Sequence, residues 1–208
     1  MYVSKKNVSR HSKKNVSRHS KKNASRHNNN TRLIPLYKMT YNNINELELI
    51  TRDKNIMKYI GKGNIWSKKD IKQFIKDEKI EKAKTQEQRL YYSFVLIYNN
   101  TVIGFISGRK NKQLLPDNGT IYDLLLRMFI SNKYKGRGFG KLIIKLFIKL
   151  YSQIISNLIK THNIKLISDI DKDNISSIKI HLANDFKYIN TIKYPNKHNY
   201  DRYIYTML

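Results

Sequence analysis

The sequence predicts a mixed α/β (α+β) domain behind a disordered basic tail, and three observations carry that reading. Between residues 33 and 208 the apolar residues switch between strand-like alternation and helix-like spacing. Residues 4–27 are a charged repeat. Three of the chain's eight glycines fall within five positions, in Lys135-Gly136-Arg137-Gly138-Phe139-Gly140-Lys141, between a strand-like and a helix-like run. At 208 residues the chain has room for one core, so we expect a tail over residues 1–32 and one domain over 33–208.

The tail reads SKKNVSRH at 4–11, the same at 12–19, and SKKNASRH at 20–27. Through Arg32 it carries ten positive charges, no acid and almost no apolar side chain, so it cannot offset the entropy of ordering itself. A nucleic-acid arm, a nuclear-import signal, a lysine-rich modification target and an inert repeat expansion all remain open.

From Leu33 the composition turns globular. Leu33–Met39 reads as a strand. Asn43–Tyr59 is helical by period, with Ile44, Leu47, Ile50 and Ile56 on one face. Ser67-Lys68-Lys69-Asp70 is a capping box that opens a second helix with Ile71, Phe74 and Ile75 inward. Tyr91–Tyr98 and Thr101–Gly108 are β-rich runs joined by Asn99-Asn100, two residues that tolerate positive φ, which predicts a hairpin. A polar loop with Pro116 and Gly119 leads to a long strand, Ile121–Ile130.

The glycine cluster comes next, and a helix follows from Phe139 to Ile159, with Ile143, Leu146, Phe147, Leu150 and Ile154 inward and Lys141, Lys145 and Lys149 in a solvated stripe. Ile164–Ile170 alternates as a strand and Ser176–Ala183 reads as a helix. Phe186–Thr191 and Arg202–Leu208 form a closing antiparallel pair. The order gives one β-loop-α unit at the centre of the domain.

Charge and composition limit the function. Forty-one Lys and Arg against fifteen Asp and Glu give +26, of which +16 lies on residues 33–208. Such a field gathers polyanions and repels polycationic substrates such as polyamines. The absence of cysteine excludes disulfides, thiolate metal sites and a cysteine nucleophile, and fits a reducing compartment. The N-terminus is basic with no apolar run behind it, and the most apolar window, Leu142–Ile159, is interrupted by Lys145, Lys149 and Gln153, so no signal, anchor or membrane span is expected. An intracellular protein follows, with cytoplasm and nucleus both open. The six histidines lack ligand spacing, so no metal is expected.

A strand, a glycine-rich turn and a helix make a phosphate site, because the amides approach the ligand and the helix start adds its dipole. A P-loop is excluded: Gly136 to Gly140 is one residue too short, and Leu142 stands where a hydroxyl should follow the lysine. A dinucleotide fold is excluded by the two-and-two glycine spacing, the late position of the unit and the lack of an acid near Lys160.

Lys135-Gly136-Arg137-Gly138-Phe139-Gly140 resembles the [Q/R]-x-x-G-x-[G/A] signature of the GNAT superfamily of acetyl-CoA-dependent N-acetyltransferases, with Lys135 replacing Gln or Arg. The wider FISNKYKGRGFGKLI is similar to that family's strand-turn-helix segment, with Ile130 at its Val position, Tyr134 matching, and Asn132 in place of Pro. Residues Asn174 to Phe186 resemble its later motif, N-x-x-A-x-x-L-Y-x-x-x-G-F, without gaps. There Asn174 and Phe186 match, Ser177 stands for Ala and Ile180 for Leu, while His181 replaces the Tyr and Asp185 the Gly. MKYIGKGNIWSKKDIKQFI resembles the branch that acetylates ribosomal proteins.

The resemblance implies a central, mostly antiparallel sheet with one splayed parallel strand pair and flanking helices. It implies acetyl-CoA as co-substrate, its pantetheine arm between strands Ile121–Ile130 and Ile164–Ile170. The pyrophosphate would lie on the amides of Gly136, Arg137, Gly138, Phe139, Gly140 and Lys141, with charge from Lys135, Arg137 and Lys141, and Asn174 nearby. A backbone N–H near Met128 to Ile130 would hold the oxyanion.

Transfer also needs a proton for the leaving thiolate, and His181 takes the place of the usual tyrosine donor, with a histidine's ordinary near-neutral pKa. Asp123 is the candidate base, beside Tyr122 and water. The acceptor would be an amine-bearing molecule, a protein included. The alternative is a nucleic-acid-binding module on a catalytically weak transferase-like scaffold, tethered through the basic tail.

Overall fold

The computed structural model describes residues 30–85, 88–110, 120–160, 162–193 and 199–207, so the repeat tail, most of the loop with Pro116 and Gly119, and Leu208 lie outside the described residues. Among the described residues seven strands form one sheet in the order β1-β2-β3-β4-β5-β7-β6. They are β1 Thr31–Pro35, β2 Tyr91–Tyr98, β3 Thr101–Arg109, β4 Thr120–Ile130, β5 Asn163–Asp171, β6 Lys187–Lys193 and β7 Asn199–Thr206. Every neighbouring pair is antiparallel except β4 with β5. A parallel neighbour needs a crossover, and here it is made by helices α4 (Phe139–Ile154) and α5 (Ser156–Ile159).

The first strand is shorter than its apolar run suggests. Pro35 supplies no N–H, and Leu36–Lys38 turns as a 3-10 segment that seats Leu36 in the core. The helical period over 43–59 resolves into two helices, α1 (Tyr41–Thr51) and α2 (Lys54–Met57). Thr40 and Asn43 cap α1 reciprocally, and the Asp53 carboxylate accepts the Asn55 N–H at 2.9 Å, starting a new helix inside the apolar period. Helix α3 (Lys68–Ala83) opens on the Ser67–Asp70 capping box.

The hairpin turns through Asn99 and Asn100 at φ 47° and 63°, the left-handed pair its twist requires. The long helix expected to Ile159 breaks at Ile155, whose φ −101° and ψ 18° leave the helical region, so α4 stops at Ile154. Helix α6 (Ile175–Leu182) completes the set.

The sheet is covered on both faces. Phe139, Ile143, Phe147 and Tyr151 of α4 pack on Tyr92, Phe94, Leu96, Ile103 and Leu166, while α1 and α3 bury Leu47 and Ile71 with Trp66 on Val95, Phe105 and Phe129. Trp66 meets Phe105 and Phe129 edge-on at 5.2 and 5.6 Å. Each such ring, once buried, contributes about 1.5–3 kcal/mol. The layers fix the height at which the central strands emerge.

Candidate active site

Strands β4 and β5 pair only from Thr120 with Asn163 to Leu124 with Ile167. Beyond that point β4 continues against β3 to Ile130, and β5 continues against β7 to Asp171, so the two strands part. A bulge lies just where they part. Ser107 faces Arg127 and Gly108 faces Leu125, which leaves Leu126 as an extra residue and turns the strand. The Ser131 N–H donates to the Ile103 carbonyl of β3 at 2.8 Å. Backbone groups alternate sides along a strand, so the amides of Ile130 and Met128 point from β3 into the gap. Backbone groups turned into a gap require partners.

A cavity of about 610 Å³ opens at the gap, walled by Tyr59, Met128, Ile130, Tyr134 and Ile180 and floored by Gly136, Gly140 and Asn174. Below it lies a lobe of about 60 Å³ bounded by Leu125, Arg127, Ser168, Asp169, His181 and Tyr200. The α2 wall is tied down at both ends: the Asn132 amide donates to the Asp53 carboxylate, and the Tyr59 hydroxyl donates to the Asp173 carbonyl at 3.3 Å. Lys58, Lys135 and Lys179 line the mouth and set a positive field there.

The glycine turn has two functions. Gly136 and Gly138 sit at φ 74° and 85° with open space around them, so the backbone bend alone requires glycine. Gly140 is different: a Cβ there would stand 2.5 Å from Ile180 Cδ1, so its bareness lets α4 approach α6. The Leu142 N–H returns to the Gly138 carbonyl, and Gly138 offers no side-chain cap, which leaves the helix start open toward an anion. Phe139 is 1 % exposed and packs on Tyr98 and Tyr134, so only its backbone can serve a ligand. Lys135, Arg137 and Lys141 are exposed; Lys135 alone of the three lines the cavity, and Arg137 stacks over the Tyr134 ring at 5.5 Å.

Asn174 caps helix α6, since its side-chain oxygen accepts the Ser177 N–H at 3.2 Å. One turn later, His181 is 2 % exposed against the edge of Phe186. Its Nδ1 lies 2.8 Å from the Ser177 carbonyl, which can only accept, so Nδ1 carries the hydrogen and Nε2 holds the lone pair. Among the described residues Nε2 has no partner.

Burial lowers the His181 pKa to about 4, with the Ser177 carbonyl opposing. The near-neutral value expected from its residue type is therefore corrected: the ring is neutral at pH 7, with the Nε2 lone pair available.

Asp123 is not brought to this site. It is 1 % exposed, bounds neither lobe, and accepts the Tyr151 hydroxyl at 2.7 Å on the α4 side of the sheet. The gap instead holds Asp169, which binds Arg202 in a two-pronged pair at 2.7 and 2.9 Å, and the half-buried Arg127. Sequence reasoning missed both. The signal available for the first was the Asp-Ile-Asp-Lys-Asp run at the end of the parallel strand.

Comparison with known proteins agrees with this geometry. Residues 34–187 match the family model described as an acetyltransferase (GNAT) domain. No curated protein matches the chain by sequence. Among solved structures, the fold is similar to the microcin C7 self-immunity acetyltransferase MccE in complex with acetyl-CoA and AMP, at 18% identity and TM-score 0.62 over 86% of this chain and 93% of that one. It is similar to the Salmonella typhimurium acetyltransferase that modifies the N-terminal serine of ribosomal protein L7/L12, at 11% identity and TM-score 0.62 over 86% and 95%. It is also similar to the aminoglycoside acetyltransferase AAC(6′)-Ib in complex with coenzyme A, at 16% identity and TM-score 0.59 over 85% and 94%. Among the described residues no helix is long and apolar enough to cross a membrane.

Proposed function

The chain belongs to the GNAT acetyltransferase family and is an acetyl-CoA-dependent acetyltransferase, and from that premise we propose that its acceptor is a primary amine. The observation that carries the reading is the parted strand pair, with the Met128 and Ile130 amides turned into the gap beside a glycine turn that opens helix α4. In this reading the amides of Gly136 to Lys141 hold the pyrophosphate, Lys135 adds charge at the cavity wall, and Asn174 shapes its floor. The pantetheine chain takes the place of the missing strand partner along Met128 to Ile130.

The neutral amine nitrogen attacks the thioester carbonyl, and the oxyanion is held by a β4 amide near Met128 to Ile130. Collapse breaks the carbon–sulfur bond. The proton released from nitrogen passes to His181 Nε2 and from there to the thiolate, which returns the ring to its neutral state. A ring that starts unprotonated suits this order, since it must receive before it gives.

Relatives of the same fold act on a ribosomal-protein N-terminus and on aminoglycosides, so protein and small-molecule amines are both candidate acceptors here. A nucleic-acid role for the repeat tail rests on sequence alone, because residues 1–29 lie outside the described residues. The test is direct. Acetyl-CoA at a hundred times its Kd should stabilise the full chain by about 2.7 kcal/mol, and amines should release free thiol from it. No thermal shift at saturating acetyl-CoA would overturn the proposal.

A further inference from the structure

A second cavity, of about 460 Å³, lies on the opposite face, between α3 and strands β2 to β4. Its chemistry runs against the rest of this +26 chain, for Asp77, Glu78 and Glu81 all line it. Two of these carboxylates are already engaged. Asp77 accepts from the Gln73 amide at 2.8 Å, and Glu81 accepts from the Leu90 N–H at 2.7 Å and pairs with Lys84.

Glu78 is only partly satisfied. It is 4 % exposed, its Oε2 pairs with Arg89 Nη2 at 3.1 Å, and its Oε1 is buried with no hydrogen-bond partner among the described residues. Burial raises its pKa, with Ser93 and Arg89 pulling against that shift. A buried carboxylate oxygen without a donor is costly, and an incoming N–H donor with positive charge would offset that cost.

The other walls are Leu36, Phe74, Ile80, Phe105 and Tyr91, an apolar surface suited to a hydrocarbon body. Arg127 stands between this groove and the acetyl-transfer gap, since it lines both the groove and the inner lobe. A fixed cation at that position disfavours an ammonium beside it, which favours the neutral amine that transfer needs.

We propose that this groove seats the second, cationic group of a diamino acceptor. Its ammonium donates to Glu78 Oε1, its spacer lies on Phe74 and Phe105, and its other amine passes Arg127 to the gap. The inference rests on the N-acetyltransferase reading above and names its acceptor class.

The experiment compares kcat/KM of the full chain for butane-, hexane- and octanediamine with the matching n-alkylamines, using thiol release from acetyl-CoA. A hydrogen bond to a buried charge predicts a preference of about tenfold or more for at least one diamine. Equal values for every pair would overturn the proposal. In Glu78→Gln the diamine-to-alkylamine ratio should fall toward one, and a ratio unchanged from wild type in a folded variant would also overturn it. Should that variant not fold, the wild-type ratio decides alone. A chain that acetylates no amine and is not stabilised by acetyl-CoA would sink the transferase reading instead, a result separable from a lost preference.

Discussion

The hydroxyl of Tyr151 donates to the Asp123 carboxylate at 2.7 Å, and both side chains are at most 1 % exposed on the α4 face of the sheet. Burial, then the Asp123 charge, hold the Tyr151 hydroxyl well above its ordinary pKa, so the proton stays on the tyrosine. Tyr151→Phe should cost about 1–3 kcal/mol of stability in urea unfolding, the penalty of leaving a buried acceptor short of its donor. Asp123→Asn should retain kcat within about threefold, well short of the roughly hundredfold loss that removing a general base brings. A folded Asp123→Asn protein with that larger loss would return the residue to the reaction.

His181 makes stability depend on pH. Its native pKa of about 4 lies below the ordinary 6.5, so the unfolded chain binds a proton that the native ring refuses. The stability is fully present above 6.5 and is lost as pH falls toward 4, by up to about 3 kcal/mol. His181→Phe should flatten this slope between pH 7 and 5 while lowering kcat roughly hundredfold or more. An unaltered pH slope in the variant would show that another group titrates there.

Asp185 sits at φ 65°, where its N–H returns to the Leu182 carbonyl at 3.2 Å and the Phe186 N–H to that of His181 at 3.2 Å. This is the glycine position of a helix-terminating Schellman turn. Asp185→Gly should therefore stabilise the protein by about 1 kcal/mol, raising Tm by roughly 2–4 °C, with thiol-release kinetics unaltered. A lowered Tm would mean that the aspartate side chain contributes more than the turn costs it.

Gly140→Ala would bring a Cβ to 2.5 Å from Ile180 Cδ1 and 3.3 Å from its Cγ1. We expect a loss of about 1–3 kcal/mol by overpacking and weaker acetyl-CoA binding, because Ile180 also walls the cavity. Ile180→Val removes the clashing methyl, and the double variant should recover most of the loss. Additive losses in that double-mutant cycle would rule out the α4–α6 contact as the cause.

Local chemistry was legible in the sequence where a single residue decides the backbone. Asn99-Asn100 announced the hairpin because few other residues accept that turn, and Ser67 with Asp70 announced α3 because the cap needs only three residues' spacing. The apolar period runs past the end of α1 because Ile56 continues it, while the capping oxygen of Asp53 starts a new helix without disturbing that pattern.

The parted strands follow from the sequence only through family resemblance, since a bulge at Leu126 has no composition of its own. The place of His181 was legible, but its pKa was not, because burial depends on Phe186 and strands far along the chain. Net charge was misleading in the same way. It averages over Glu78, whose unfilled oxygen is created by where α3 meets β2.

The short pairing of β4 with β5 has a mechanical consequence. Among the described residues, five backbone pairs, Thr120 to Leu124 with Asn163 to Ile167, make the ladder between two leaves, one of β1 to β4 and one of β5, β7 and β6, which otherwise meet through the side chains packed under α4. The protein is thus a sheet with an unfinished seam. A ligand that hydrogen-bonds along the open edge of β4 completes the stitching, so occupancy and cohesion of the two leaves become one equilibrium. Under the proposed cofactor placement, release of product would reopen the seam, and slowed amide exchange along the β4 edge would record each closure.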